Sequence, residues 1–201
     1  MMEEPETYLF SPTPYVPNSP LPVLIYRAVL EPASASQDGD AQALSADSLR
    51  NQIEQNKWRY GGVFKHYPTH HFHSVTHECY AVFKGRSRLL LGRGPLDEAN
   101  DGHGKEVELR AGDIIVLPAG VSHCCLHSED DYSYVGLYPE GSPHWDNNWC
   151  KASPEETMER TATAWSVPIP SYDPIYGKDG PLCTIWRQAQ ASAALMPAKG
   201  M

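Results

Sequence analysis

The chain has 201 residues, which suits one domain with terminal extensions and argues against two independent catalytic modules. Its residues are 41% hydrophobic and 20% charged, so the chain can bury a core and is not disordered by composition. Fifteen glycines and 18 prolines favour many short elements over a helical bundle. The net charge of −9 repels a phosphate backbone, so no nucleic-acid partner is expected.

Targeting signals and cysteine usage bear on the cellular compartment. The acidic start, Met1–Glu6, has no basic region followed by an apolar stretch, so it does not predict a secretory leader. No apolar run reaches the roughly 18 residues of a spanning helix, so no membrane contact is expected. The five cysteines include no CxxC pair, which favours free thiols in a reducing compartment. The sequence therefore predicts a cytoplasmic protein.

Residues 1–60 are predicted to form an N-terminal extension that packs on the rest of the domain. Residues 1–22 are rich in proline and are expected to run extended without joining a sheet. A buried strand is predicted at Val23–Leu30 and a polar loop at Ala33–Asp40. A helix is predicted to begin after an N-cap at Ser45, with Leu49, Ile53 and Trp58 on its packed side.

Residues 61–140 are predicted to form an all-β core. Short strands at close spacing, separated by glycine and proline, are typical of a sandwich or barrel. They are expected around residue 72 and at 78–84, 87–91, 106–109, 113–117, 123–127 and 132–138, with a loop at 92–105.

Residues 141–201 are predicted to belong to the same domain as a helix, a strap and a tail. The helix begins at Ser153, which is followed by Pro154 at N1 and Glu156 at N3. Residues 167–182 are too rich in proline and glycine for regular structure, and we expect an ordered strap packed on the barrel. The tail from about Gln188 is small and polar, and we expect it to be mobile.

The chemistry-bearing residues occur in two motifs. Five of the nine histidines lie between positions 66 and 77. His71 and His73 are spaced so that both imidazoles face one side of a strand, and Glu78 and Gly85 follow after four and six residues. The second motif runs from Gly112 through a buried strand and Pro118-Ala-Gly120 to His123.

Together the two motifs resemble those of the cupin superfamily, and the flanking PNSPLPV, AGDIIVLPAGVSH and DPIYGKDGPL runs resemble YjlB-like cupins. The chain departs from the cupin pattern at Lys65, where the first motif has glycine, and at His127, where the second has asparagine. The resemblance covers most of residues 15–187. It implies an all-β fold, the cupin double-stranded β-helix or jelly-roll barrel, with a few short helices and extended terminal segments.

The resemblance implies that His71, His73, Glu78 and His123 bind one divalent transition metal. Three neutral imidazoles and one carboxylate leave about one positive charge on the ion, and an octahedral ion keeps two open positions. Nitrogen and oxygen donors without thiolate admit Fe, Mn, Ni, Co, Cu or Zn. The alternatives are an exposed histidine cluster, or a cupin that kept the motif and lost the metal.

The sequence leaves open whether His77 or Glu78 faces the other candidate ligands, and which side chains could act as an acid or base. On an unbroken strand His77 rather than Glu78 would share a face with His71 and His73, and only a turn brings Glu78 inward. On a regular strand His127 and Cys125 would face the barrel interior with His123, and Tyr80 would share the side of Glu78. His127 and Tyr80 are therefore the candidate catalytic acid–base residues. For Tyr80, a purely structural role in core packing is equally expected.

The resemblance favours a metal-dependent enzyme that acts on a small organic molecule, with a dioxygenase-like oxidoreductase as the first hypothesis. A redox-neutral isomerase, epimerase or lyase that uses the metal as a Lewis acid is the second. A non-catalytic protein that binds a small ligand through the metal is the third. The family habit also implies a homodimer that pairs through residues 15–30.

Overall fold

The computed structural model describes residues 4–31, 44–98 and 102–195. The predicted loop at Ala33–Asp40 lies outside these ranges. In chain order the elements are β1 (Glu6–Phe10), β2 (Ser19–Tyr26), α1 (Ala46–Glu54), β3 (Trp58–Phe64), β4 (Glu78–Leu91), β5 (Lys105–Arg110), β6 (Ile114–Leu117), β7 (His123–Pro139), α2 (Pro154–Trp165), β8 (Tyr172–Asp173), β9 (Gly177–Lys178) and α3 (Pro181–Leu195). No helix within the described ranges is both long and apolar enough to cross a bilayer.

One curled antiparallel sheet forms the body of the molecule. Among the described residues its seven strands follow the order β1-β2-β6-β4-β7-β3, and β5 also pairs with β4. Strand β4 is the centre: its first residues pair with β6, its last residues with β5, and its other edge follows β7. This arrangement confirms the predicted all-β jelly-roll fold.

The alternation of side chains along the strands builds two separate layers. The inner layer lines the concave side of the sheet and contains Val23, Ile25, Tyr80, Val82, Leu89, Leu91, Ile115, Leu117, Tyr132 and Tyr134. The outer layer packs beneath α1 and α3 and contains Leu24, Tyr26, Leu49, Ile53, Trp58, Cys79, Ala81, Val116, Leu137, Leu182 and Trp186. Residues adjacent in sequence therefore lie on opposite sides of the sheet.

The N-terminal segment contributes two strands to the sheet itself, whereas the sequence predicted an extended proline-rich arm. Residues Glu6–Phe10 lie between prolines, and they pair with β2. Pro20 and Pro22 do not interrupt the ladder because they fall between the paired positions Ser19 and Val23. Strand β2, which the family habit would pair with a second copy, lies between β1 and β6 of the same chain. The homodimer stays a prediction.

Two of the predicted helix starts are confirmed. The hydroxyl of Ser45 accepts the N–H of Ser48 at the start of α1, and that of Ser153 accepts the N–H of Glu156 at the start of α2. Trp58 lies on β3 rather than on α1, because the helix ends at Glu54.

Two predictions for the C-terminal region were wrong: that the tail from about Gln188 is mobile, and that the strap at residues 167–182 has no regular structure. The predicted tail is helical as far as Leu195 because residues 188–195, QAQASAAL, are good helix formers. The strap contains the short β8–β9 ladder and is anchored by the fully buried carboxylate of Asp173. This carboxylate accepts hydrogen bonds from the Tyr26 hydroxyl and from the N–H of Leu182, at the start of α3.

Candidate metal centre

Three histidines from two segments converge at the concave side of the sheet. His71 and His123 exchange two backbone hydrogen bonds, of 3.2 and 2.9 Å, which place their rings 4.2 Å apart between centroids. His73 follows two residues later on the same side. The candidate ligand nitrogens of His71, His73 and His123 all lie within 4.8 Å of one another, and all three side chains are buried.

Glu78 joins this group from the first residue of β4. Its Oε2 atom lies 3.0 Å from Nε2 of His73 and 3.2 Å from Nε2 of His123. His77 lies on the other side of the sheet, where its Nδ1 accepts the N–H of Ala119 at 3.0 Å and its ring packs 4.7 Å from Trp186. The chain between His73 and Glu78 thus turns as the cupin resemblance implies, and the structure brings Glu78 rather than His77 to the histidines.

Backbone carbonyl groups orient all three imidazole rings. Nδ1 of His71 lies 3.0 Å from the carbonyl oxygen of Thr69, and Nδ1 of His123 lies 3.1 Å from that of Val121. Nδ1 of His73 makes a short contact with the carbonyl oxygen of Asp146. Because a carbonyl only accepts, each Nδ1 carries a proton, and Nε2 is the nitrogen of each ring that is directed toward Glu78 and its neighbours and that could bind a metal.

The donor set fits a divalent metal ion. Nε2 of His123 is buried and has no hydrogen-bond partner in the part of the chain that the structure describes, since the nearby Glu78 carboxylate is not aligned with it. Burial, together with the neighbouring His123 and His73, lowers the pKa of His71 to about 3, so this imidazole is neutral and available as a ligand. Ligands bonded about 2.1 Å from one ion at right angles lie about 3.0 Å apart, close to the observed separations from Glu78.

Glu78 is held in its anionic form. Burial opposes ionisation of this carboxyl, but His73 and His123 hold its pKa well below the usual range. The hydroxyl of Tyr138 donates a 2.5 Å hydrogen bond to Oε1, leaving Oε2 directed at the histidines. Burial alone lowers the pKa of His73, but the Glu78 charge outweighs it and raises the pKa above its ordinary value. The centre therefore contains a fixed negative charge.

Comparison with known proteins gives one relative that decides the family. YjlB of Bacillus subtilis, described as an uncharacterized protein, is 30% identical over 187 residues that make up 92% of this chain and 99% of YjlB. The chain is a YjlB-like cupin. No protein-family model matches it.

Two solved cupins are similar to the chain at low sequence identity. RmlC from Streptococcus suis, in complex with dTDP-D-xylose, is 13% identical, with 73% of each chain covered and a TM-score of 0.36. An oxalate decarboxylase is 18% identical, with 63% of this chain and 27% of that chain covered and a TM-score of 0.33.

His71, His73 and Glu78 of this candidate metal centre line a pocket of about 180 Å³. Aromatic rings form most of its walls: Tyr80 stacks on Tyr134 with centroids 3.9 Å apart, and Trp145 stacks on Tyr138 at 4.6 Å. The pocket is lined by Phe64, Lys65, His66, Tyr67, His71, His73, Glu78, Tyr80, Tyr134, Tyr138, Trp145 and Asn147.

The two candidate catalytic residues have different locations. Tyr80 lines the pocket, with its ring 5.8 Å from that of His123. His127 does not face the interior: its side chain is 61% exposed and its Nε2 lies 3.0 Å from Glu129. The expectation was wrong because β7 contains an extra residue, Leu126, between the positions that pair with Arg88 and Leu89. Such a bulge reverses the alternation of the residues that follow it.

Several pocket residues were missed at the level of sequence. Tyr138 could have been found, because Tyr132, Tyr134 and Tyr138 share one side of a strand with period two. Trp145 and Asn147, which line the pocket, and Asp146, which contacts His73, gave no such signal, since they belong to a segment without regular structure. Their position depends on long-range pairing of this segment with residues 71–73, the HxH segment.

Proposed function

We propose that this cupin is a metal-dependent enzyme, specifically an oxygenase, that acts on a small organic molecule. One observation carries the proposal: the donor atoms of His71, His73, Glu78 and His123 converge, and the first three of these side chains line a pocket together with aromatic rings. A cluster of this kind on an exposed loop would not be buried, and all four side chains are at most 6% exposed.

The four side chains would hold one divalent transition metal, with iron, manganese, cobalt, nickel, copper or zinc compatible with the donors. When bound, such an ion supplies Lewis acidity and open positions for small ligands. The chain supplies the rest: His71 is a neutral donor, Tyr138 fixes the Glu78 carboxylate, and aromatic rings line the pocket beside these groups.

Pocket size and charge define the substrate class. An engineered cavity of about 150 Å³ binds benzene, so a pocket of about 180 Å³ suits a substrate no larger than about one ring with small substituents. One carboxylate against a divalent cation leaves about one positive charge, which favours an anionic oxygen on the substrate. A small carboxylate, enolate or phenolate with a planar body satisfies both conditions.

Most of the remaining pocket residues are poor proton acceptors, which favours oxygen chemistry. Among the described residues that line the pocket, those not assigned to the metal are aromatic or hydroxyl-bearing, apart from Lys65, His66 and Asn147. A phenol is a weak base at neutral pH. Lys65 is paired with Asp131 at 2.6 Å, and His66 contacts Ser128 at 2.8 Å. A redox-neutral isomerase or lyase would need a base aimed at the substrate, for which His66 is the candidate in this lining, whereas an oxygenase would not.

Oxygen consumption tests this proposal. The metal-free protein would be loaded with Fe(II) without air and mixed with a panel of small carboxylates, enols and phenols. We expect oxygen uptake that depends on both substrate and iron and disappears in His73→Ala. Turnover with Zn(II) in the absence of oxygen would instead support the Lewis-acid enzyme. Binding without turnover under either condition would support a non-catalytic ligand-binding protein.

A further inference from the structure

The segment at residues 144–149 is paired with the HxH segment. The N–H of Phe72 donates to the carbonyl of Asn148, and the N–H of Asn148 donates to the carbonyl of Phe72, both at 3.0 Å. Phe72 is the residue between His71 and His73. The 144–149 segment therefore runs alongside the two ligands that the motif supplies.

Asp146 contacts this motif at two points. Its backbone carbonyl receives the Nδ1 proton of His73. Its carboxylate accepts the N–H of Ser74 at 2.8 Å and the Ser74 hydroxyl at 2.6 Å, and it also accepts the side-chain amide of Asn148 at 2.6 Å. The carboxylate thus fixes the position of Asp146 relative to Ser74, the residue that follows the ligand.

His73 differs in this respect from the other two histidines. His71 and His123 each donate to a carbonyl two residues earlier in their own segment. The carbonyl that receives the proton of His73 is 73 residues away in sequence. The orientation of His73 therefore depends on a tertiary contact, which a change outside the HxH motif can remove.

We propose that Asp146 is a positioning residue of the metal centre. Its side chain holds its carbonyl against Nδ1 of His73, which fixes the proton on Nδ1, sets the plane of the ring and leaves Nε2 free for the ion. This inference rests on the proposed metal site. Asp146 does not touch the ion or the substrate, and it acts through His73.

Titration of the metal-free, full-length protein with Co(II) tests the inference, since the visible spectrum reports ligand geometry as well as affinity. We expect Asp146→Ala to bind Co(II) about tenfold more weakly and with an altered spectrum, because the carbonyl that accepts from His73 remains but is no longer held in place; this is the lower end of the usual effect of disturbing a partner of a metal-bound histidine. Asp146→Asn keeps an oxygen that can accept the Ser74 N–H, and it should restore part of the affinity. Ser74→Ala, which removes only one hydroxyl, should give a smaller effect in the same direction.

Asp97→Ala is the matched control. Asp97 also accepts one backbone N–H, from Gly94 at 2.8 Å, and one hydroxyl, from Thr13 at 3.1 Å, but it does not contact the metal ligands. Its replacement should lower the melting temperature and leave the Co(II) affinity and spectrum unchanged.

The outcomes separate this inference from the proposed function. Equal Co(II) affinity and identical spectra in wild type, Asp146→Ala and Ser74→Ala would overturn the positioning role and leave the metal site intact. Failure of the wild type to bind Co(II) would overturn both. If Asp146→Ala does not fold, Ser74→Ala and Asp146→Asn decide, because each keeps part of the hydrogen bonding.

Discussion

The two layers of this cupin are built from the same strands but have different chemistry. The outer layer, beneath α1 and α3, consists mostly of aliphatic side chains with Trp58 and Trp186. The inner layer combines aliphatic residues with Tyr80, Tyr132 and Tyr134 and borders the histidines and Glu78. Strand alternation therefore lets one sheet carry a stabilising core on one side and a reactive site on the other.

The adjacent residues His77 and Glu78 show most clearly how the two sides of the sheet differ. Both side chains are buried, yet His77 contacts Trp186 and the backbone of Ala119, whereas Glu78 contacts His73 and His123. Burial of a histidine is thus no indication of metal binding by itself. Changes in the inner layer should alter metal binding, and changes in the outer layer should alter stability.

The largest effect on metal binding is expected for His73→Ala. The substitution removes one nitrogen donor and the partner that lies 3.0 Å from Glu78. We expect loss of stoichiometric metal in the purified protein, measured by elemental analysis, while circular dichroism shows a retained β fold. Full occupancy in this variant would mean that His73 is not a ligand.

Trp186→Ala should have the largest effect on stability. The indole is fully buried and donates a 2.8 Å hydrogen bond to the carbonyl of Pro22. Replacing it leaves a cavity and should cost about 3–5 kcal/mol of unfolding free energy. Denaturant titration measures the loss. The folded variant should bind metal with the affinity of the wild type. A large fall in that affinity would show that the outer layer influences the metal site and would contradict the separation of the two layers.

Acidification should release the metal. Protons compete for imidazole near its ordinary pKa of about 6.5, and the Glu78 charge raises the pKa of His73, so His73 is the first ligand to be protonated. Affinity should therefore fall as the pH drops through this range, as measured by Co(II) titration at a series of pH values. Undiminished binding at pH 5 would argue against a centre with three histidines.

Tyr138→Phe should have a moderate effect. The change removes the hydroxyl that donates to Oε1 of Glu78 and keeps the ring that stacks on Trp145. We expect roughly tenfold weaker metal binding with a small change in melting temperature. The same affinity as the wild type would show that the carboxylate does not need this hydrogen bond.

His127→Ala should have the smallest effect. The side chain is exposed and paired only with Glu129 in the described structure, and exposed ion pairs contribute little to stability. Metal content, oxygen uptake and melting temperature should all match the wild type. A loss of turnover with unchanged metal content would return His127 to the list of catalytic candidates.

Local patterns in the sequence predicted the fold and the four candidate ligands, but they did not predict features that depend on strand bulges or on long-range contacts. The HxH and PxG motifs indicated which four side chains to consider, because spacing on strands and turns is a local property. The prediction that His127 faces the interior was wrong, because the one-residue bulge at Leu126 has no sequence signature. The role of Asp146 could not be predicted, since its contact with His73 spans 73 residues.

Helix α3 was missed for a different reason. Its second half, residues 188–195, is small and polar, and such a composition suits either an exposed helix or a tail. The buried first turn, with Leu182, Cys183 and Trp186, anchors the helix against the outer layer. Tertiary packing at one end therefore fixes the start of the helix, and the helix-forming residues 188–195 continue it.

A crystal structure of the metal-loaded protein, with anomalous scattering collected at the absorption edge of the metal, tests the central claim most directly. We expect one strong anomalous peak bonded to Nε2 of His71, His73 and His123 and to a carboxylate oxygen of Glu78. A peak elsewhere, or an ion that excludes Glu78 or one of these histidines, would contradict the account.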